Sequence, residues 1–207
     1  MNLKTLDSAR LRVLRELAKI RKHGFFLAGG TAVALTYGHR MSEDFDLFRP
    51  EAFAAAELFR GLSADLPGLK MTIVDENTLN CTLDGVKLSF FGGIGDDFLP
   101  FTETEWFPVA DMLDVACMKL WAMMNRETEK DYADMYVILR DHGLADVVSR
   151  FRERHGDAVS VQVLIKALTF FDGITPGEVK YAEPGLDFRK VKTGIAAAAT
   201  AYVRQFT

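Results

Sequence analysis

Cysteine is scarce in this chain: Cys81 and Cys117 are the only two in 207 residues. They stand far apart, each in an apolar pattern, which fits buried free thiols rather than a disulfide framework. The four histidines, His23, His39, His142 and His155, have no metal-ligand spacing, so no zinc site is expected. No apolar run approaches the roughly 20 residues that cross a bilayer, and no membrane role is expected. The start, Met1-Asn2-Leu3-Lys4, leads into a charged amphipathic pattern without the apolar core of a signal peptide, so the expected location is cytoplasmic. Positive charge is not in excess either. With 25 Lys and Arg against 29 Asp and Glu, the net charge is −4, which excludes a protein that coats nucleic acid generally but leaves room for a local basic face. Two such clusters exist, Arg150/Arg152/Arg154 and Arg189/Lys190/Lys192, and each by itself reads as a solvated helix face. There is no repeat and no low-complexity tract. What remains is an ordinary globular composition, 49% apolar and 26% charged, long enough for one large domain or two small ones.

The richest stretch runs from Gly29 to Asp46. Phe25 to Ala28 is an apolar run that predicts a strand, followed at once by Gly29-Gly30. Paired glycines allow a tight turn whose amides can approach a phosphate at a helix N-terminus. Thr31 can cap that helix or bond a phosphate oxygen. After a short helix to Tyr37, Asp44 and Asp46 fall two apart around Phe45 and Leu47. Strand side chains alternate, so both carboxylates project to one face. They repel unless a cation sits between them, and oxygen-only ligation of that kind suits Mg²⁺ with a nucleoside triphosphate.

Leu11, Leu14, Leu17 and Ala18 predict a helix that begins near Asp7-Ser8 and ends at Gly24. Pro50 fits the first turn of a helix through Ala54 to about Arg60. Then Leu69–Val74, Thr78–Leu83 and Val86–Phe91 predict three strands, the last two joined by the Asp84-Gly85 hairpin turn. After about residue 108 the pattern is helical. Phe90, Phe91, Phe170 and Phe171 read as core.

A second constellation opens the helical region. Lys119, Ala122 and Arg126 share a helix face, and Lys119 stands among Met118, Leu120 and Trp121, where a lone ammonium is costly. Thr128 can cap a new helix carrying Asp131 in its first turn and Asp134 one turn on. A break near residues 125–127 would let Lys119 and Asp131 converge. Ordinary interhelical salt bridges explain the same residues equally well.

The stretch LAGGTAVALTYGHRMSEDFDLF, Leu27 to Phe48, resembles the AbiEii/AbiGii abortive-infection toxins. That family belongs to the DNA polymerase β-like nucleotidyltransferase superfamily, whose pattern is Gly-Gly/Ser, a short helix, then Asp-x-Asp. The pieces are weak singly; in order, between apolar strands, they are strong together. The likeness is good over about 25–50 and 108–140, and elsewhere holds only in element order. It implies an α+β fold: a mixed sheet with flanking helices at about 1–108, then a helical region at 109–207 that completes the active site. It further implies Mg²⁺-dependent transfer of a nucleoside monophosphate from an NTP, with Asp44 and Asp46 on the metal and Gly29, Gly30 and Thr31 at the phosphates. In this family a Lys-x(6)-Arg-x(4)-Asp-x(2)-Asp element follows, so the likeness gives Lys119 and Asp131 catalytic roles, with Lys119 and Arg126 also at the nucleotide. The likeness implies RNA as the acceptor, with a tRNA 3′ end as one candidate, and makes the protein the toxin of a toxin–antitoxin or phage-defence pair whose antitoxin is a separate chain.

One departure is visible. Superfamily enzymes generally carry a third carboxylate on a later strand, and the matching strand here offers Lys87 and Ser89. Three readings stay open: Asp131 takes the helper's place, Asp84 reaches the site, or the protein has lost chemistry while keeping nucleotide binding. The first is the favoured expectation; a non-catalytic binding module and a small-molecule nucleotidyltransferase are the rivals.

Overall fold

The computed structural model describes residues 1–205. Helix α1 (Ser8–Leu17) is capped by Asp7, whose carboxylate accepts the Arg10 N–H at 2.9 Å, and it buries Val13, Leu14 and Leu17. A 3₁₀ turn follows and ends at Gly24 with φ +75°. The chain then enters β1 (Phe26–Ala28), α2 (Gly29–Tyr37) and β2 (Phe45–Phe48). Gly38, at φ +73°, ends α2 in a left-handed turn, its N–H donating to the Ala34 carbonyl at 2.8 Å.

Next come α3 (Ala55–Asp65), β3 (Lys70–Asp75), β4 (Thr78–Leu83) and β5 (Val86–Phe91). Pro50 lies outside α3, which starts five residues later than the sequence pattern predicts. The intervening chain bends at Pro50 and Glu51 and is held out of helix: Phe53 N–H donates to Asn77 Oδ1, and Arg49 to the carbonyls of Glu51 and Ala52. The β4–β5 turn has Asp84 at φ +50° and Gly85 at φ +79°, the two positive values that a tight hairpin of this twist requires.

The five strands form one mixed sheet in the order β1-β2-β5-β4-β3. β2 runs parallel to β5 and antiparallel to β1, and β5-β4-β3 is an antiparallel meander. One face buries Phe45, Leu47, Leu79, Cys81, Leu88 and Phe90. The alternate positions place Asp46 beside Ala28 and Ser89, and Ser89 beside Asn80.

Helices α4 (Met112–Met123), α5 (Glu129–His155), α6 (Val161–Thr169) and α7 (Phe188–Val203) follow. Asp111 caps α4 and Thr128 caps α5, while Gly143 (φ +80°) breaks α5. The strand segment β1 is fastened to residues 108–110, with Leu27 N–H donating to the Pro108 carbonyl and Ala110 N–H to the Leu27 carbonyl. Buried residues of sheet and helices form one continuous core, and α2 contacts β1 and β2 as well as α4 and α5. The nearly complete burial of Thr31–Leu35 follows from that position. Both cysteines are buried free thiols. Phe90 is core, but Phe170 is 41% exposed where α6 ends, so the expectation of burial fails there. Among the described residues no helix is long and apolar enough to cross a membrane.

Candidate active site

The Gly29 turn and the Asp-x-Asp strand meet because β1 and β2 are antiparallel neighbours with Ala28 opposite Asp46. Gly29 has φ +64°, and a β-carbon there would come within 2.6 Å of Asp46 Oδ2. Only glycine gives both the left-handed backbone and the room for that carboxylate. Thr31 is not the cap of α2, which already begins at Gly29. Its hydroxyl donates to the Asp44 carbonyl and lies 2.7 Å from Ser42 Oγ. Thr31 therefore fixes the chain entering β2, and with it the place of Asp44.

A cleft of about 340 Å³ opens here, lined among others by Gly30, Thr31, Asp44, Asp46, Lys119, Arg126 and Asp131. Each of the sequence-derived site residues lines it except Gly29, which lies behind Asp46. Lys119, twelve positions before Asp131, meets it because the chain reverses between α4 and α5. Its ammonium is 2.9 Å from Asp131 Oδ1 and 2.6 Å from Asp134 Oδ2. Arg126 Nε donates to Asp131 Oδ2 at 3.0 Å, and the Thr128 hydroxyl donates to the same oxygen at 2.7 Å. Salt bridge and cleft are thus one arrangement, not alternatives: Lys119 bridges α4 to α5, Arg126 joins Asp131 from the loop beyond the end of α4 rather than from the helix face the sequence suggested, and all three line the cleft.

Charge states follow from these contacts. Burial pushes the Asp131 carboxyl up, but Lys119, Arg126 and Thr128 outweigh it and hold Asp131 below the usual carboxylate range. Burial acts on Asp134 in the same direction, and Arg40 with Lys119 overcome it, keeping Asp134 well below that range. Burial pulls the Lys119 ammonium down, yet Asp134 and Asp131 raise it above the ordinary lysine value. Asp46 differs. Burial and the neighbouring Asp44 raise its carboxyl, and Lys119 opposes them only in part.

Asp44 and Asp46 have no hydrogen bond or ion pair through their carboxylates among the described residues, whereas Asp131 and Asp134 are fully engaged. Two oxygen donors without partners on one wall of a cleft fit a hard divalent cation. No group of three or more His, Cys, Asp or Glu side chains is arranged around a metal among the described residues. Two protein carboxylates therefore suit Mg²⁺ carried with a substrate's phosphates, and do not suit a structural metal. Ser89 stands in register with Asp46, at 3% exposure, where a third carboxylate was looked for. Asp84, in the β4–β5 turn, does not line the cleft.

The sequence reading missed Arg40, which lines the cleft. It is 4% exposed, and Nε and Nη2 donate to Asp134 Oδ1 and Oδ2 at 2.7 and 2.9 Å. His39, fully buried, places Nε2 2.9 Å from Asp134 Oδ1. The loop that carries both is pinned by residues 180–182: Met41 N–H donates to the Lys180 carbonyl and Ala182 N–H to the His39 carbonyl. That segment is pinned in turn by Glu129, which accepts from the Gly177 and Glu178 amides and the Tyr181 hydroxyl. The basic cluster at 150–154 proves structural: Arg150 and Arg154 both donate to buried Asp114, at 2.7 and 3.1 Å.

The sequence profile of the family described as "Nucleotidyl transferase AbiEii toxin, Type IV TA system" matches residues 12–94. An uncharacterized protein of Aquifex aeolicus (strain VF5) is 32% identical over 158 residues, covering 72% of this chain and 74% of that protein. Among solved structures, JHP933 from Helicobacter pylori superposes with a TM-score of 0.58 at 17% identity, over 97% of this chain and 94% of that one. The nucleotidyltransferase toxin MenT4 of Mycobacterium tuberculosis H37Rv gives 0.57 at 13% identity, over 91% of this chain and 82% of that one. At such identities the two structures establish a common fold.

Proposed function

This chain belongs to the AbiEii nucleotidyltransferase toxin family, and on that premise we propose that it moves a nucleoside monophosphate from an NTP to an acceptor hydroxyl in an Mg²⁺-dependent reaction. The observation that carries the proposal is the cleft itself: two unpartnered carboxylates, Asp44 and Asp46, stand across from a lysine held charged by two others.

Asp44 and Asp46 would hold the metal. A bound Mg²⁺ would neutralise phosphate charge and polarise the α-phosphoryl group. The start of α2, from Gly29 to Thr31, receives the phosphates, where amides and the helix dipole favour negative charge. Lys119 contacts the triphosphate and stabilises the charge that pyrophosphate carries away. Asp131 orients Lys119 and Arg126, and its helper's role is that positioning, since its own oxygens are taken up by Lys119, Arg126 and Thr128. The sheet-bearing part, about 1–108, brings the metal ligands, and the helical part, 109–207, brings Lys119, Arg126 and Asp131, so the active site needs both. Family membership supports a toxin that works on RNA, with a tRNA 3′ end as a suitable hydroxyl, and a separate antitoxin chain as its partner.

Ser89 in register with Asp46 favours one rival, a module that binds nucleotide without transferring it. The deciding experiment incubates the protein with Mg²⁺, labelled NTPs and total RNA, beside Asp46→Ala and an EDTA control. Label on RNA that vanishes in both controls supports the proposal. Nucleotide binding with no transfer to any acceptor supports the module, and label on a small molecule alone supports a small-molecule nucleotidyltransferase.

A further inference from the structure

We propose that Arg40 is a second fixed cation for the nucleotide's phosphates, and that Asp134 is the positioning residue that presents Arg40 and Lys119 together to one cleft. The assignment rests on the nucleotidyl-transfer reading and adds two residues to it.

Asp134 is completely buried in α5, and its carboxylate holds two residues that line the cleft, Arg40 and Lys119, besides the buried His39. It accepts from Arg40 through both oxygens, from Lys119 at 2.6 Å and from His39 at 2.9 Å. A carboxylate so engaged cannot hold a metal and has no acceptor capacity left for substrate. What it can do is fix the plane of one guanidinium and the place of one ammonium.

Arg40 is poised for ligand on three counts. It lines the cleft. Of the five N–H groups of a guanidinium, Nε and Nη2 each give one to Asp134 and Nη1 gives one to the Met41 carbonyl. One N–H on each terminal nitrogen is left, the fork that two phosphate oxygens accept. Third, the guanidinium lies over Gly30: a β-carbon at that position would collide with Nη2. Gly30 has ordinary helical backbone, so its lack of a side chain serves space rather than conformation. The space is filled by Arg40, at the start of α2, where the helix's own free amides gather. Arg126 and Lys130 also reach the cleft but are exposed at 61% and 42%, and mobile surface cations contribute less than preorganised ones. Arg40 and Lys119 are the two buried cations of the cleft.

The test measures equilibrium binding of each ribonucleoside triphosphate and the matching monophosphate, with Mg²⁺ and no acceptor. Arg40→Gln should weaken triphosphate binding about ten- to a hundredfold, the worth of a charge-assisted contact, and leave the monophosphate within about threefold. A residue that merely supports the fold would weaken both alike, and that outcome, or no change in either, overturns the assignment. Should Arg40→Gln not fold, the charge-balanced pair Arg40→Met with Asp134→Leu leaves no lone buried charge; it should show the same selective loss, and wild-type affinity in it also overturns the assignment. Gly30→Ala gives an independent arm. It should weaken triphosphate binding in the wild type and cost nothing further beside Arg40→Gln, whereas additive losses would mean that Gly30 serves the phosphates without Arg40. A wild-type protein that binds no triphosphate would sink the transfer reading itself, whereas triphosphate binding that ignores Arg40 overturns only this assignment.

Discussion

Replacing Lys119 with methionine separates its chemical role from its structural one. Breaking a buried ion pair ordinarily costs about 3–5 kcal/mol, because the surviving partner is left charged and alone. Nothing is left alone here. Asp131 keeps Arg126 at 3.0 Å and the Thr128 hydroxyl at 2.7 Å, while Asp134 keeps Arg40 and His39. Three cations facing two carboxylates become two facing two. Methionine refills most of the stem's volume, and no ammonium has to be desolvated. The expected cost is therefore about 1–2 kcal/mol, or roughly 2–8 °C in Tm for a chain of this size. Loss of a charge that acts on the transition state is far larger, about 10²–10³ in rate. Thermal unfolding and initial rates of labelled-NTP transfer read the two effects separately. Transfer within about tenfold of wild type would show that Lys119 does not act on the phosphates; a loss above about 4 kcal/mol would show that it is mainly scaffold.

Other expectations follow from the same contacts. Gly29→Ala forces a side chain to φ +64° and against Asp46; it should cost about 1–2 kcal/mol from the backbone and most of the transfer activity, and wild-type activity would refute the close packing of turn and carboxylate. Burial holds the His39 imidazole below its ordinary 6.5, so the unfolded chain takes up a proton at a pH where the native one does not. Stability is then complete above about pH 6.5 and declines as pH falls from there toward the depressed native value. His39→Gln, which can still donate to Asp134, should flatten that decline in a series of Tm measurements, and an unchanged slope would assign it to other groups. Asp114→Ala takes from Arg150 and Arg154 their shared carboxylate, leaving Arg150 only Glu153 and Asp97, and frees the Leu99 amide; it should lower stability by about 3 kcal/mol and leave triphosphate affinity unaltered, and a coupled loss of affinity would mean that this pair shapes the cleft.

Local features of the sequence were enough for much of the fold. Paired positive-φ positions at Asp84-Gly85, caps at Asp7 and Thr128, and period-two patterning in β4 and β5 all act within a few residues, and each appears where the pattern puts it. Pro50 misled because the bonds that keep 50–54 out of a helix come from Asn77 and Arg49. Phe170 misled because a C-terminal helix residue can face solvent without any change in its own neighbours.

The Gly-Gly-Thr and Asp-x-Asp motif declared by itself that a glycine turn opening a helix and an acidic pair stand on adjoining elements, since turn geometry and strand alternation are properties of the chain alone. Its spacing to Lys119 and Asp131 was legible too, as a face on one helix and a cap on the next. What only tertiary structure decided is which charges share a dielectric environment. Arg40 and Asp134 are 94 residues apart, and nothing near either in sequence names the other. Burial makes a charge costly wherever it stands, so its partner is chosen by whatever the fold brings within about 3 Å. That choice made Gly30 the seat of a guanidinium and turned a salt bridge between helices into the wall of a cleft.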